Sequence, residues 1–150
     1  MPRIEIQWAC PAEGCPEEDW LERCAELALE GTEPAELVLR IVDETEGAAL
    51  NQRYRKGSGA TNVLSFPAEL PEGIDLPLLG DVVICARVVA REAESQGKPA
   101  AHHWAHMVIH GVLHLRGFDH ISSEQARRME ALERKLLAGL GIADPYGVVG

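Results

Sequence analysis

Apolar and polar residues alternate from the start of the chain, where Ile4, Ile6 and Trp8 are interleaved with Arg3, Glu5 and Gln7. Successive side chains of a strand point to opposite faces, so a period of two predicts a half-buried first strand. After Pro16 the period changes. In EEDWLERCAELALEG the apolar positions Trp20, Leu21, Cys24, Leu27 and Ala28 share one helical face, acids crowd the first turn where they complement the helix dipole, and Gly31 ends the run. ELVLRIV (36 to 42) reads as a strand, and EGAALNQRYR (46 to 55) returns to helical spacing through Leu50 and Tyr54. KGSGA (56 to 60) is loop material, and NVLSF (62 to 66) is a strand closed by Pro67. A turn-rich stretch with Pro71, Gly73 and Pro77 leads to LLGDVVI (78 to 84), which could pair with NVLSF as a hairpin. CARVVAREAESQG predicts a helix ended by Gly97, and Pro99 suits the opening of the next, which runs through AAHHWAHMVIHGVLHLRG to Gly117. SSEQARRMEALERKLLAGLG predicts a last long helix, opened by Ser122 or Ser123 with an imperfect capping box over Glu124 to Ala126. DPYGVVG reads as a loose tail, and Asp81 as a turn-capping aspartate.

The order β, α, β, α, β, β, α, α, α predicts an α/β-type (α+β) layered fold, with a small mixed sheet of about four strands covered by helices. At 150 residues and 46% apolar content, with no repeat or linker, the expectation is one domain over residues 1–150. No apolar run approaches membrane-spanning length, and the first residues lack the basic stretch and apolar core of an export signal. A cytoplasmic protein without a membrane partner is expected. Cys10, Cys15, Cys24 and Cys85 are then read as reduced thiols, since the C-x4-C pair has no matching second pair for a zinc knuckle.

The formal net charge of -10 would argue against a nucleic-acid partner if it were spread evenly. It is not: the first fifty residues hold thirteen acids against three bases, and the remainder is balanced. Charge therefore excludes neither class of partner. Arg53, Arg55, Lys56, Arg87, Arg91 and Arg116 would make a basic cleft if folding gathered them, and scattered surface charge otherwise.

The chemistry concentrates in HGVLHLRGFDH (110 to 120). On a helix, His110 and His114 are separated by about 400° of rotation, so both imidazoles lie on one face roughly 6 Å apart along the axis and can reach one ion. His120, six residues further, could not join them on a continuous helix, but Gly117 can take the left-handed conformation that ends helices and turns the chain back. The spacing H-x3-H-x2-G-x2-H is that of the long zinc motif of metzincin proteases. Three neutral nitrogens with an open fourth position suit one catalytic zinc ion. One difference matters: the protease motif places its general base, a glutamate, directly after the first histidine, and Gly111 stands there. His106, one turn before His110, is either a fourth ligand or a residue packed behind the site, and His102 and His103 are expected to be exposed. Asp119 could orient a ligand, accept a proton or face solvent.

HGVLHLRGFDH, NQRYRKGSGATNVLSFP and LLGDVVI, in the order they occur, resemble the blocks of the YbeY family of bacterial endoribonucleases over roughly residues 35 to 146. The resemblance implies a zinc ion on His110, His114 and His120 and a functional Arg55 in the Tyr-Arg pair of the second block. It further implies single-strand-specific, zinc-dependent endoribonuclease activity in ribosomal RNA maturation, at the 16S rRNA 3′ end, and in ribosome quality control. The implied partners are single-stranded RNA and the ribosome or its associated proteins. A guanidinium at Arg55 would hold a phosphate bidentately, which peptide hydrolysis does not require. Just after it, Gly57 and Ser58 stand where many relatives carry a Lys-Asp pair, and Lys56 is displaced by one position. Two rival readings follow from the residues themselves: a metal-dependent peptidase-like hydrolase, and a non-enzymatic ribosome assembly factor with a structural zinc closed by a fourth ligand such as His106.

Overall fold

The computed structural model describes residues 2–32, 35–55, 59–73, 77–119 and 121–146, with only the backbone of Arg55. The elements run β1 (Arg3–Trp8), α1 (Glu18–Ala28), β2 (Glu36–Val42), α2 (Glu44–Arg55), β3 (Val63–Pro67), β4 (Leu78–Cys85), α3 (Ala86–Ser95), α4 (Ala100–Leu115) and α5 (Ser123–Gly139). This is the order the hydrophobic pattern predicts. Two helix starts have clear local causes. α2 starts two residues before the apolar spacing does, because Asp43 caps it through a 2.9 Å hydrogen bond from the Glu46 amide to its Oδ1. α5 is capped by Ser122, whose Oγ accepts the Gln125 amide while the Gln125 side chain accepts the Ser122 amide, so the capping box closes on Gln125.

The four strands form one mixed sheet in the order β1-β2-β4-β3, an α+β architecture. β1 pairs parallel with β2 and β2 with β4, while β3 pairs antiparallel with β4, as the hairpin reading expects. Asp81 does not cap a turn: it lies inside β4, opposite Val38 and Phe66, with its side chain exposed. Leu39, Ile41, Val82 and Ile84 turn toward the larger core, which α1, α4 and α5 complete. Val42, Leu64, Val83 and Cys85 turn the other way, toward Leu50 of α2, as the period of two requires. All four cysteines are free thiols. Among the described residues no helix is long and apolar enough to cross a membrane.

Helix α4 is the centre of this arrangement. Its residues from His103 to Ile109 and from Gly111 to Leu113 are buried, so it meets protein on nearly every side. It is tied to α1 at both ends, by Trp20 Nε1 donating to the Ala101 carbonyl at 2.9 Å and by Arg116 Nη1 donating to the Ala28 carbonyl at 2.8 Å. In its middle the backbone touches the sheet at Gly111, whose carbonyl accepts a 2.8 Å hydrogen bond from Ser65 Oγ of β3. A Cβ at this position would stand 2.5 Å from Val82 Cγ1 and 3.1 Å from Val63 Cγ2. A side chain there would force Val82, Val63 or the helix to shift. Overpacking of this kind costs typically about 1–3 kcal/mol. Gly111→Ala is therefore expected to lower the unfolding free energy measured by urea denaturation by about 1–3 kcal/mol, and an unchanged free energy would show that the contact between α4 and the sheet yields freely.

Candidate metal centre

One turn apart on α4, His110 and His114 bring their Nε2 atoms to 3.2 Å from each other, with ring centroids 4.7 Å apart and ring planes at 82°. Two nitrogens bound at the usual zinc–imidazole distance and a tetrahedral angle stand about 3.3 Å apart, so this separation, which is also that of a hydrogen bond between the rings, would suit a shared ion. The pair faces a cleft of about 240 Å³ that is lined also by Asn51 at the α2 side, by Thr61 and Asn62 just before β3, and by Val63, Leu64 and Ser65 of that strand. Beyond the helix, Gly117 has φ 99°, the left-handed turn its place in the motif predicts. The chain then leaves α4 through Phe118 and Asp119, both half-buried. His120 lies outside the described residues, as does the side chain of Arg55, which is the last residue of α2.

Behind the pair stands a carboxylate with no exposure to water. Glu133 of α5 accepts a 2.6 Å hydrogen bond at Oε1 from His110 Nδ1, and one of 2.9 Å at Oε2 from His106 Nε2. The Tyr146 hydroxyl also donates to Oε2 and lies 3.1 Å from His106 Nε2. Burial on its own would push the Glu133 carboxyl up, but the hydrogen bonds from His106, His110 and Tyr146 outweigh it and hold it at about 2. Burial and then the bond to Glu133 push the Tyr146 phenol up. An ionised carboxylate only accepts, so the proton of His110 sits on Nδ1 and its Nε2 presents a lone pair on the side of His114.

His106, His110 and Glu133 together form a group that could hold a metal ion, with one ligand atom from each lying within 4.8 Å of the others. Its members are already joined directly by hydrogen bonds, and both His106 and Glu133 are buried. An ion among them would displace those protons in a closed setting, whereas one at the His110–His114 pair would meet the cleft.

Several residues lie elsewhere than the sequence suggests. His103 is buried and not exposed: α3 packs beside the start of α4, and His103 Nε2 meets Glu92 Oε1 at 2.9 Å. Glu92 also accepts the Asn62 amide at 3.1 Å and 3.3 Å, which fixes a residue of the cleft wall, while His102 is half-buried. The end of the chain as far as Tyr146 is docked and not loose. Ile142 is buried, and Asp144 accepts both the Tyr146 amide at 2.8 Å and Arg134 Nε at 3.0 Å. Of the basic residues, Lys56 and the side chain of Arg55 lie outside the described residues, and three of the others are engaged in pairs elsewhere. Arg87 and Arg91 both pair with Glu44, and Arg116 is spent on the Ala28 carbonyl. Glu133 and Tyr146 escaped the sequence reading, although one signal existed: Met129, Glu133 and Leu137 follow one buried helical stripe, on which a lone acid requires a partner.

A small α+β fold with a helix-borne histidine pair over a polar cleft, backed by a buried histidine–carboxylate group that could hold an ion, defines a candidate metalloprotein. Its family follows from comparison with known proteins. The family profile described as "Endoribonuclease YbeY" matches residues 15–141, and the chain belongs to that family. A protein named Endoribonuclease YbeY from Alkalilimnicola ehrlichii is 55% identical over 149 residues, covering 95% of this chain and 90% of the relative. One of the same name from Pseudomonas putida is also 55% identical, covering 97% and 94%. The solution structure of a Thermotoga maritima protein shares the fold with a TM-score of 0.59 at 23% identity, covering 97% of this chain and 99% of that one.

Burial holds His103 below the ordinary histidine value of 6.5, and the hydrogen bond and charge of Glu92 pull it only partly back. A base with a lowered folded pKa binds protons more readily when unfolded, so its contribution to stability is present above 6.5 and is lost as pH falls toward the folded value. Stability of the metal-free protein is expected to fall as pH drops through and below 6.5, and His103→Gln to flatten that slope. Urea unfolding at stepped pH measures it, and equal slopes in both proteins would assign the pH dependence to other groups.

Proposed function

We propose that this chain is a zinc-dependent endoribonuclease that cuts single-stranded RNA, with His110, His114 and His120 holding one zinc ion and Arg55 binding the phosphate. The observation that carries the reading is the pair of Nε2 atoms 3.2 Å apart at the mouth of a polar cleft. The donor set suits zinc: imidazoles, one of them held in the tautomer that leaves Nε2 unprotonated. When bound, the ion would supply Lewis acidity toward the phosphodiester and its attacking oxygen. The protein's own residues supply the rest. Gly117 takes the left-handed conformation that turns the chain after α4, which would let His120 reach the pair. Asn51, Asn62 and Ser65 give the cleft a polar wall suited to the sugar–phosphate backbone of a single strand. Arg55 ends the helix that contributes Asn51, and its guanidinium would neutralise charge developing on the phosphate.

Membership of the endoribonuclease family supports an RNA substrate, and the family resemblance supports ribosomal RNA as its source. We assign the protein on that ground to 16S rRNA 3′-end processing and ribosome quality control in the cytoplasm, acting on ribosome-bound or ribosome-associated RNA as one domain over residues 1–150. A peptidase is disfavoured, because the position of its glutamate base is Gly111, where any side chain would collide with Val82. The His106, His110 and Glu133 group favours one second reading, a closed structural ion in a non-catalytic assembly factor.

Metal analysis and cleavage of labelled single-stranded RNA by protein freed of contaminating nuclease test these readings. Wild type should hold about one zinc per chain and cut. His114→Ala should lose the zinc and the cutting together. Arg55→Ala should keep the zinc and cut roughly 10²–10³ times more slowly, the usual effect of removing one group that stabilises developing charge. Equal cleavage by all three would remove the enzyme reading. Zinc retained by His114→Ala but lost by His106→Gln would favour the closed structural ion.

A further inference from the structure

The buried Glu133 is not needed by the proposed ligand set, and the fold has gone to some length to seat it. A carboxylate without access to water is tolerated only where donors surround it, and here three side chains from two parts of the chain do so. Two come from α4 and the third, Tyr146, from the segment after α5. That segment is anchored on the same helix as the carboxylate. Arg134, the residue after Glu133, pairs with Asp144 at 2.9 Å and stands 5.5 Å from the Tyr146 ring, while Asp144 also accepts the Tyr146 amide. The Tyr146 hydroxyl is thereby fixed on Glu133 Oε2, leaving Oε1 for His110.

We propose that Glu133 is a positioning residue for the metal centre, and that Tyr146 is the latch that keeps its carboxylate aimed at His110 Nδ1. This rests on the zinc reading above and deepens it by adding the groups that set the affinity of the site. The carboxylate acts through the imidazole: it fixes the ring plane, keeps the proton on Nδ1 and raises the basicity of Nε2. His106 fills the remaining donor place at Oε2, so that the carboxylate cannot swing away from His110. In this arrangement His106 stands behind the site and is not a ligand, and its Nδ1 is a buried atom without a hydrogen-bond partner among the described residues.

Zinc competition against a chromophoric chelator, together with long-range ¹⁵N–¹H spectra of the histidine rings, tests the proposal on the full chain. In wild type, His110 should appear as the Nδ1–H tautomer even without metal. Glu133→Gln should still bind one zinc at saturation, but 10- to 100-fold more weakly, and its metal-free His110 should show mixed tautomers. Tyr146→Phe, which keeps the ring and its packing, should shift the affinity in the same direction by a smaller factor, and it serves as the test if Glu133→Gln does not fold. Unchanged affinity and an unchanged tautomer in both variants would overturn the proposal and leave Glu133 as a packing ion pair. Complete loss of zinc stoichiometry in Glu133→Gln and in His106→Gln would overturn it differently, by making these residues ligands. A wild type that takes up no zinc would refute the reading beneath it, and the metal-free tautomer would still decide whether Glu133 fixes His110.

Discussion

The site depends on how closely one helix lies against two strands. α4 approaches β3 and β4 until only a hydrogen atom fits between its backbone and Val82, and a serine hydroxyl bonds its carbonyl at the same point. With the middle of the helix fixed there and its ends fixed to α1, the residues flanking the contact have no freedom of rotation. His110 and His114 thus emerge together at the edge of the sheet, beside β3, and His106 and His110 turn toward α5. A core packed like an organic crystal transmits position with little slack, and the geometry of two imidazoles inherits it.

The same contact explains why the resemblance to the metzincin motif is partial. Ligand spacing is a property of the helix, and any helix with histidines at i and i+4 can present it. The residue between them answers to the packing of each fold. In this one the position after the first histidine points into the sheet, where a carboxylate could reach neither water nor substrate. Similar metal geometry can therefore serve different chemistry, with the base and the charge-stabilising groups drawn from other elements.

Much of this was legible from the chain because short-range periodicity decides it. Ile4, Ile6 and Trp8 mark β1, the run before Gly117 marks α4, and Gly117 itself has the positive φ that the motif calls for. The histidine pair was legible for the same reason, since helical spacing alone puts both rings on one face. What the sequence hid were partners distant along the chain. Glu133 is twenty-three residues from His110, and Tyr146 forty from His106, and no local pattern announces either contact. His103 looked exposed because it begins a helix, but its burial is set by α3 and Glu92. Asp81 looked like a turn cap although it falls within the run LLGDVVI, and the register of β4 sets it opposite Val38 and Phe66 inside the strand.

The position of β3 has one more consequence. It is a border strand, paired with β4 on one side, and the cleft runs along its residues. A border of this kind offers unsatisfied amides and carbonyls to any extended chain that drifts past, including another copy of the same protein. Here the strand is only five residues long and ends in Pro67, which lacks an amide hydrogen. A five-residue border strand that ends in proline is a poor template for such pairing, so the cleft lies along a sheet margin that offers little to a second extended chain.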